Sequence, residues 1–529
     1  MKPQVKSPAQ LLAPGRALTL ANVAEGAEGL VISDLARAIA ARPKKPAISL
    51  AVVCRDGPRM QQLARALDFF APDLPVLQFP AWDCQPYDRV SPHGGILAQR
   101  LTTLARLARL TGSDKPLIVL TTVNAIVQRV PARDAVAAQA LSVAPGHVVP
   151  MDCIVAWLEH NGYTRSSTVR EAGEYAVRGG ILDLFPAGLD QPVRFDFFGD
   201  SLESIRAFDA ETQRTLLDMR SLDLVPISEF QLFTETIRRF RMGYVAEFGA
   251  PSPDDQLYEA VTEGRRHPGM EHWLPLFQER LDTVFDYLGD APVAIEPQGE
   301  DAARERFKQI ADYYEARREA LEHPGSGAIY KPLPPDRLYL TEDEWKRRLD
   351  EGALARFTPF AVPDGINVFD AGARAGRNFA PERNDSNVNV FERVVAHVHA
   401  LQAQRKKVVV TLWSEGSRDR MASMLRDHKL ANITSVNSWR TVQATPRNEA
   451  MLAVLGMESG FETDDVAVIS EQDILGDRLV RPRKASRKLD NFISEVTSLT
   501  AGDLVVHIAM MPRLPVRSGG TWTAQERHL

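Results

Sequence analysis

The sequence predicts a multidomain α/β protein: a parallel-sheet domain, a small inserted α+β domain, and a second small α/β domain. Three observations carry that expectation. Near the N-terminus, apolar runs of strand length alternate with segments of helical period. From about residue 141 the apolar period shortens towards two. From about residue 340 the α/β alternation returns. With 529 residues, at roughly 100–200 residues per domain, the chain has room for about three to five domains.

The elements follow in order. Residues 47–54 (AISLAVVC) read as a buried strand. Residues 59–70 then place Met60, Leu63, Ala64 and Leu67 at helical spacing. A helix rich in Leu and Arg over 100–110 precedes a second strand, 117–122 (LIVLTT). Strands separated by helices argue for a parallel sheet. In 193–198 (VRFDFF), alternation puts Val193, Phe195 and Phe197 on one face, and Arg194, Asp196 and Phe198 on the other. Gly199-Asp200 reads as the turn of a hairpin returning through 202–208. Residues 226–335 are mostly helical, with Phe307, Ile310, Tyr314 and Leu321 marking one helix face. Thr341 and Glu344 offer a capping box. A helix over 391–401, a strand over 408–412, a helix opened by Ser414 and a strand over 466–469 complete the series. The last ~20 residues carry no periodic apolar face and are expected to be flexible.

Composition is that of an ordinary globular chain, 44% hydrophobic and 25% charged. The formal charge of -6, from 63 basic and 69 acidic residues, gives no global field for nucleic acid or membrane. Cys54, Cys84 and Cys153 are far apart, so neither a disulfide framework nor a cysteine zinc site is expected. His397 and His399 face apart on a helix. The N-terminus lacks an apolar signal region, and no run long enough to span a bilayer occurs. A cytoplasmic location with no membrane partner is the expectation.

A phosphate-binding loop needs glycines, a lysine and a hydroxyl. The chain contains no Gly-Lys dipeptide. The nearest candidate, Gly26-Ala27-Glu28-Gly29, carries a glutamate that would repel phosphate. Glu471, after an apolar strand, stands like an acidic magnesium ligand with no lysine-bearing loop to serve. No catalytic, cofactor-binding or metal-binding residues are therefore expected. Two local features invite a binding role. If the apolar face of 193–198 packs inward, Phe198 is pushed towards solvent beside Arg194, a hot-spot composition. Alternatively Phe198 covers a minor core, and Arg194 pairs with Asp196 or Asp200. The run 478–488 holds Arg478, Arg481, Arg483, Lys484, Arg487 and Lys488. It is either a phosphate-contacting segment for DNA, which lacks aromatics to stack bases, or a solvated linker.

Several long motifs carry a resemblance. FPAWDCQPYDRVSPHGGILAQRLTTLARL (79–107) and REAGEYAVRGGILDLFPAGLDQPVRFDFFGDSLESIRAFDAETQRTL (170–216) resemble the bacterial transcription-repair coupling factor family, Mfd. GMEHWLPLF (269–277), ISEQDILGDR (469–478) and LTAGDLVVHI (499–508) do so in the same order. The first two are shared more weakly with UvrB, the damage-loading subunit of excision repair. The resemblance runs from about residue 10 to Ile508.

It implies a map. Residues 1–140 and 226–345 would form one split, degenerate helicase-like domain without an ATP site. Residues 141–225 would be the UvrB-like module that binds UvrA, and 346–477 a small α/β domain. Residues 478–498 would be a basic linker, and 499–529 the start of an RNA-polymerase-interaction domain. The family's UvrA contact would fall on Arg178, Arg194 and Phe198. After Ile508 the sequence departs from the family's HGIGRF-like continuation, so the polymerase-binding domain and the ATP- and magnesium-dependent DNA translocase are not expected in this chain. The implied function is that of a truncated, non-enzymatic UvrA-binding adaptor of transcription-coupled excision repair. The family's other partners, RNA polymerase and double-stranded DNA, would not be reached through it. The alternatives are a UvrB-like, nucleotide-dependent DNA-binding enzyme and a non-functional gene fragment.

Overall fold

The computed structural model describes residues 7–44, 46–110, 116–322 and 329–476, with the backbone of 504–505 and 514–515. The chain divides into Met1–Gly476 and Asp477–Leu529. In the second unit Leu504–Val505 pairs antiparallel with Leu514–Pro515. All that follows concerns the first unit.

A seven-stranded sheet organises its N-terminal part, in the order Val368–Asp370, Arg16–Ala21, Ala353–Phe357, Val293–Ile295, Leu50–Cys54, Ile118–Thr122, Val76–Phe79. Every pairing is parallel. Parallel strands need crossovers that cover both faces, so their sequences read as unbroken apolar runs. Leu50, Val52 and Cys54 pack on one face with Ile32, Leu35, Met60 and Leu63 of the helices Glu28–Ala40 and Gly57–Phe70. Ala51 and Val53 pack on the other with Leu101 and Leu104 of the helix Gly94–Ala108. Asp56 starts one of these helices, its carboxylate accepting the Arg59 N–H at 2.8 Å.

Two features differ from the expected map. Ala353–Phe357 and Val368–Asp370 lie beyond residue 345 yet are strands of this first sheet. The capping box at Thr341 forms, with Glu344 N–H donating to Thr341 Oγ1 at 3.1 Å. The helix it opens, Glu342–Glu351, therefore leads back into the same sheet rather than into a new domain. The helix Gly299–Glu322 buries Gly299, Ala303, Arg306 and Ile310. Its expected apolar face packs through Phe307, Ile310 and Tyr314 but does not reach the far end, where Leu321 is exposed.

The second sheet begins at Arg374–Ala375 and runs Arg374–Ala375, Phe461–Glu462, Val466–Ser470, Lys407–Leu412, Ala450–Val454, Ile433–Val436. The last four strands in that order are mutually parallel, whereas Phe461–Glu462 is antiparallel to both of its neighbours. One face packs on the helices Val390–Ala403 and Glu415–Asp427 through Val394, Val398, Met421 and Leu425. The other meets Ala27 at the start of the helix Glu28–Ala40, and Phe69 and Phe70 at the end of the helix Gly57–Phe70, so the second sheet packs on the helices that flank the first.

Between the two halves of the first sheet lies a mainly antiparallel six-stranded sheet, in the order Thr215–Met219, Ser201–Phe208, Val193–Phe198, Ile181–Leu184, Glu174–Arg178, Thr164–Arg165. Its root is closed by a short antiparallel pair, Leu141–Val143 with Leu222–Leu224, which holds the entering and leaving chain side by side.

Candidate partner-binding site

The inserted sheet has one apolar and one polar face. Val193 and Phe195 are buried in the module core with Leu182, Leu184 and Ile205, and Phe197 packs against it. The register is irregular between Asp196 and Phe197: Asp196 faces Ser204, but Phe197 faces Leu202. Glu203 is thereby skipped. This bulge keeps an apolar residue opposite Phe197 on the core face and increases the local twist of the hairpin tip.

Across the polar face Ala176, Asp183, Arg194 and Arg206 stand in one cross-strand row. Arg194 donates from Nε and Nη2 to the two oxygens of Asp183, at 2.6 and 2.8 Å. Asp183 is buried, whereas the Arg194 side chain keeps 20% of its exposure. Hydrogen bonding to Asp183 raises the Arg194 pKa further. The partner expected from spacing was Asp196 or Asp200. Arg194 instead takes the directly opposed Asp183, while Asp196 accepts from the opposed Ser204 and pairs diagonally with Arg206. The guanidinium also stacks over Phe208, 4.8 Å from the ring centre. A minor core does exist on this face, but Phe208, Val169 and Ala176 make it, not Phe198.

Phe198 is 82% exposed. It faces Ser201 across the two-residue turn Gly199-Asp200, where Gly199 takes φ +59°, a conformation that only glycine adopts without steric cost. The neighbouring hairpin turns at Gly179-Gly180, between the paired Arg178 and Ile181. The Phe197 N–H donates to Gly180 O at 2.8 Å, and a Cβ at Gly180 would stand 2.9 Å from Phe197 O. The two glycine turns thus lie at one end of the sheet, and Arg178 and Phe198 flank them. Arg178 is exposed, and its guanidinium is held by Ser167 O and Thr168 Oγ1. Arg194 lies four residues back from Phe198, about 13 Å along the strand.

The phosphate-loop candidate has become a structural joint. Gly26 takes φ +90° and donates its N–H to Glu28 Oε2 at 2.7 Å. The carboxylate at the first turn of the helix Glu28–Ala40 therefore fills the place an anion would take. Glu28 is bound in turn by Arg59 Nη2 at 2.5 Å, and Arg59 Nε by Glu296 at 2.7 Å. Burial, with two carboxylates sharing one cation, pushes the Glu28 pKa up. A Cβ at Gly26 would meet Ser459 O at 2.5 Å, so the second sheet's loop closes on the same point. These residues do not fit ATP. Glu471 is used structurally too, its carboxylate accepting the Trp413 N–H at 3.0 Å. Among the described residues no cluster of His, Cys, Asp or Glu could hold a metal ion, and no helix is long and apolar enough to cross a membrane. Arg478, Arg481, Arg483, Lys484, Arg487 and Lys488 lie outside the described residues.

An inserted sheet with an exposed aromatic and an arginine at its tip, carried on α/β domains, defines a protein with a protein-interaction module. Comparison with known proteins agrees. Residues 141–230 match the family described as the UvrB interaction domain, and 401–474 match the Mfd D3 domain. The chain is 30% identical to the transcription-repair-coupling factor of Escherichia coli over 91% of its own length and 40% of that protein's. It is 29% identical to that of Haemophilus influenzae over 92% and 41%, and 31% identical to that of Myxococcus xanthus over 82% and 37%. The chain corresponds to the N-terminal part of the transcription-repair-coupling factors and spans about two fifths of the length of these relatives.

Proposed function

We propose that this chain supplies the UvrA-binding function of a transcription-repair coupling factor, acting through the tip of the inserted sheet. The observation that carries this reading is Phe198, held 82% exposed on a hairpin fixed by register on both sides. An aromatic ring displayed in water on a fixed backbone is suited to fill a partner's apolar depression with little backbone entropy to lose. Arg178 would meet carboxylates at the rim. Arg194, with two donors engaged by Asp183, offers its remaining Nη1 edge. The process is binding, and no step requires a nucleotide.

The parallel domain is proposed as a degenerate helicase-like module split around the insert. Its sheet takes strands from both sides of residues 141–224, and Glu28 stands where a phosphate would bind. Contact with RNA polymerase and ATP-driven movement on double-stranded DNA are proposed for the remaining length of the family. Calorimetric titration of the chain with UvrA tests the central reading. Micromolar or tighter binding, weakened in Phe198→Ala, is expected; absence of binding by the folded chain would sink it.

A further inference from the structure

Outside the residues already discussed, one other apolar side chain is displayed on a fixed backbone at the same end of the module. Val148 is 79% exposed. Single exposed valines are ordinary, and its position is what sets this one apart. Val148 bridges antiparallel to Ser201, which in turn faces Phe198. Three backbone hydrogen bonds zip the segment onto the hairpin: Gly146 N–H to Leu202 O at 2.7 Å, Leu202 N–H to His147 O at 2.9 Å, and Val149 N–H to Asp200 O at 2.8 Å. The Phe198 hairpin therefore has a third, short strand along its outer side. Directly opposed residues project to the same face, so Val148, Ser201 and Phe198 form one row. The two apolar side chains stand about 10 Å apart, two strand spacings, with a small serine between them.

The geometry points to Val148 as a second apolar contact of this surface, with a partner that places apolar groups on both sides of Ser201. The inference rests on the UvrA-binding reading, and the occupant is the same partner, because the row is continuous with Phe198. A β-branched side chain on a strand has few rotamers to lose on docking. The sequence gives no sign of this, since Val148 is distant from Phe198 along the chain and sits between a glycine turn and Pro150.

The test is calorimetric titration of UvrA with the full chain, with Val148→Thr beside Phe198→Ala and a circular-dichroism melt of each. Val148→Thr keeps shape and β-propensity and replaces a methyl by a hydroxyl, so it changes the contact rather than the strand. The expected result is affinity lower by roughly threefold or more in Val148→Thr at unchanged melting temperature, with a larger loss in Phe198→Ala. Wild-type affinity in Val148→Thr, with Phe198→Ala weakened, would overturn this inference alone. No binding by the wild type, or no loss in Phe198→Ala, would overturn the UvrA reading and this inference with it.

Discussion

Arg194 and Asp183 oppose each other on neighbouring strands, and the guanidinium grips the carboxylate with bonds of 2.6 and 2.8 Å. One edge of the Arg194 guanidinium is thus spent inside the module. Removing Arg194 leaves a buried carboxylate without its cation, so Arg194→Ala should destabilise the module by about 2 kcal/mol. Arg194→Lys, which cannot reproduce the fork, should fall between the two. Urea unfolding checks both. Any loss of UvrA binding in these variants then has to be read against their stability.

Phe198→Ala separates binding from folding. The side chain buries little, so its removal should change unfolding free energy by no more than about 0.5 kcal/mol. Affinity for UvrA should fall by more than about 1 kcal/mol. Arg178→Ala, also exposed, should behave alike and become milder as salt rises. Paired melts and titrations at two ionic strengths decide it.

The Glu28–Arg59–Glu296 group makes a prediction about charge. Arg59→Leu leaves two carboxylates facing each other in a buried site and should cost about 3–5 kcal/mol. Adding Glu28→Gln and Glu296→Gln should recover most of that loss. Glu28 alone, with its pKa raised by burial, favours folding below about pH 4.5 and loses that contribution as pH rises. Glu28→Gln should therefore remove this pH dependence, as chemical unfolding between pH 4 and 7 would reveal.

His272 should make the fold acid-sensitive. Both ring nitrogens are buried without a hydrogen-bond partner, and burial pushes the pKa down to about 4, with Asp88 opposing the shift and Arg317 and Arg306 adding to it. The unfolded chain binds a proton near pH 6.5 that the folded chain refuses. Its contribution is thus full above pH 6.5 and lost as pH falls towards 4, about 3 kcal/mol in all. His272→Phe keeps a ring against Tyr87 and Trp82 and should flatten stability across that window.

What the sequence revealed follows from which signals are local. The buried strand Leu50–Cys54 and the alternation of 193–198 are written in consecutive residues, and both formed. Gly199-Asp200 turned as its residue types required. Pairing is not local. Nothing near Arg194 indicates that Asp183, eleven residues back, lies opposite it. Nothing near Ala353–Phe357 indicates that it joins a sheet whose other strands begin at residue 16. The bulge that skips Glu203 is likewise invisible until both strands are aligned. Glu28 was legible as hostile to phosphate, but its bond to Arg59 depends on two helices meeting.

The short ladder Leu141–Val143 with Leu222–Leu224 has a consequence for inheritance. Because the two ends of the inserted sheet leave the host next to each other, the host's topology is indifferent to what hangs between them. A recognition module so attached can be acquired, replaced or exchanged between lineages without rethreading the parallel sheet. The capacity to recruit a partner and the scaffold that carries it are therefore free to evolve on separate schedules.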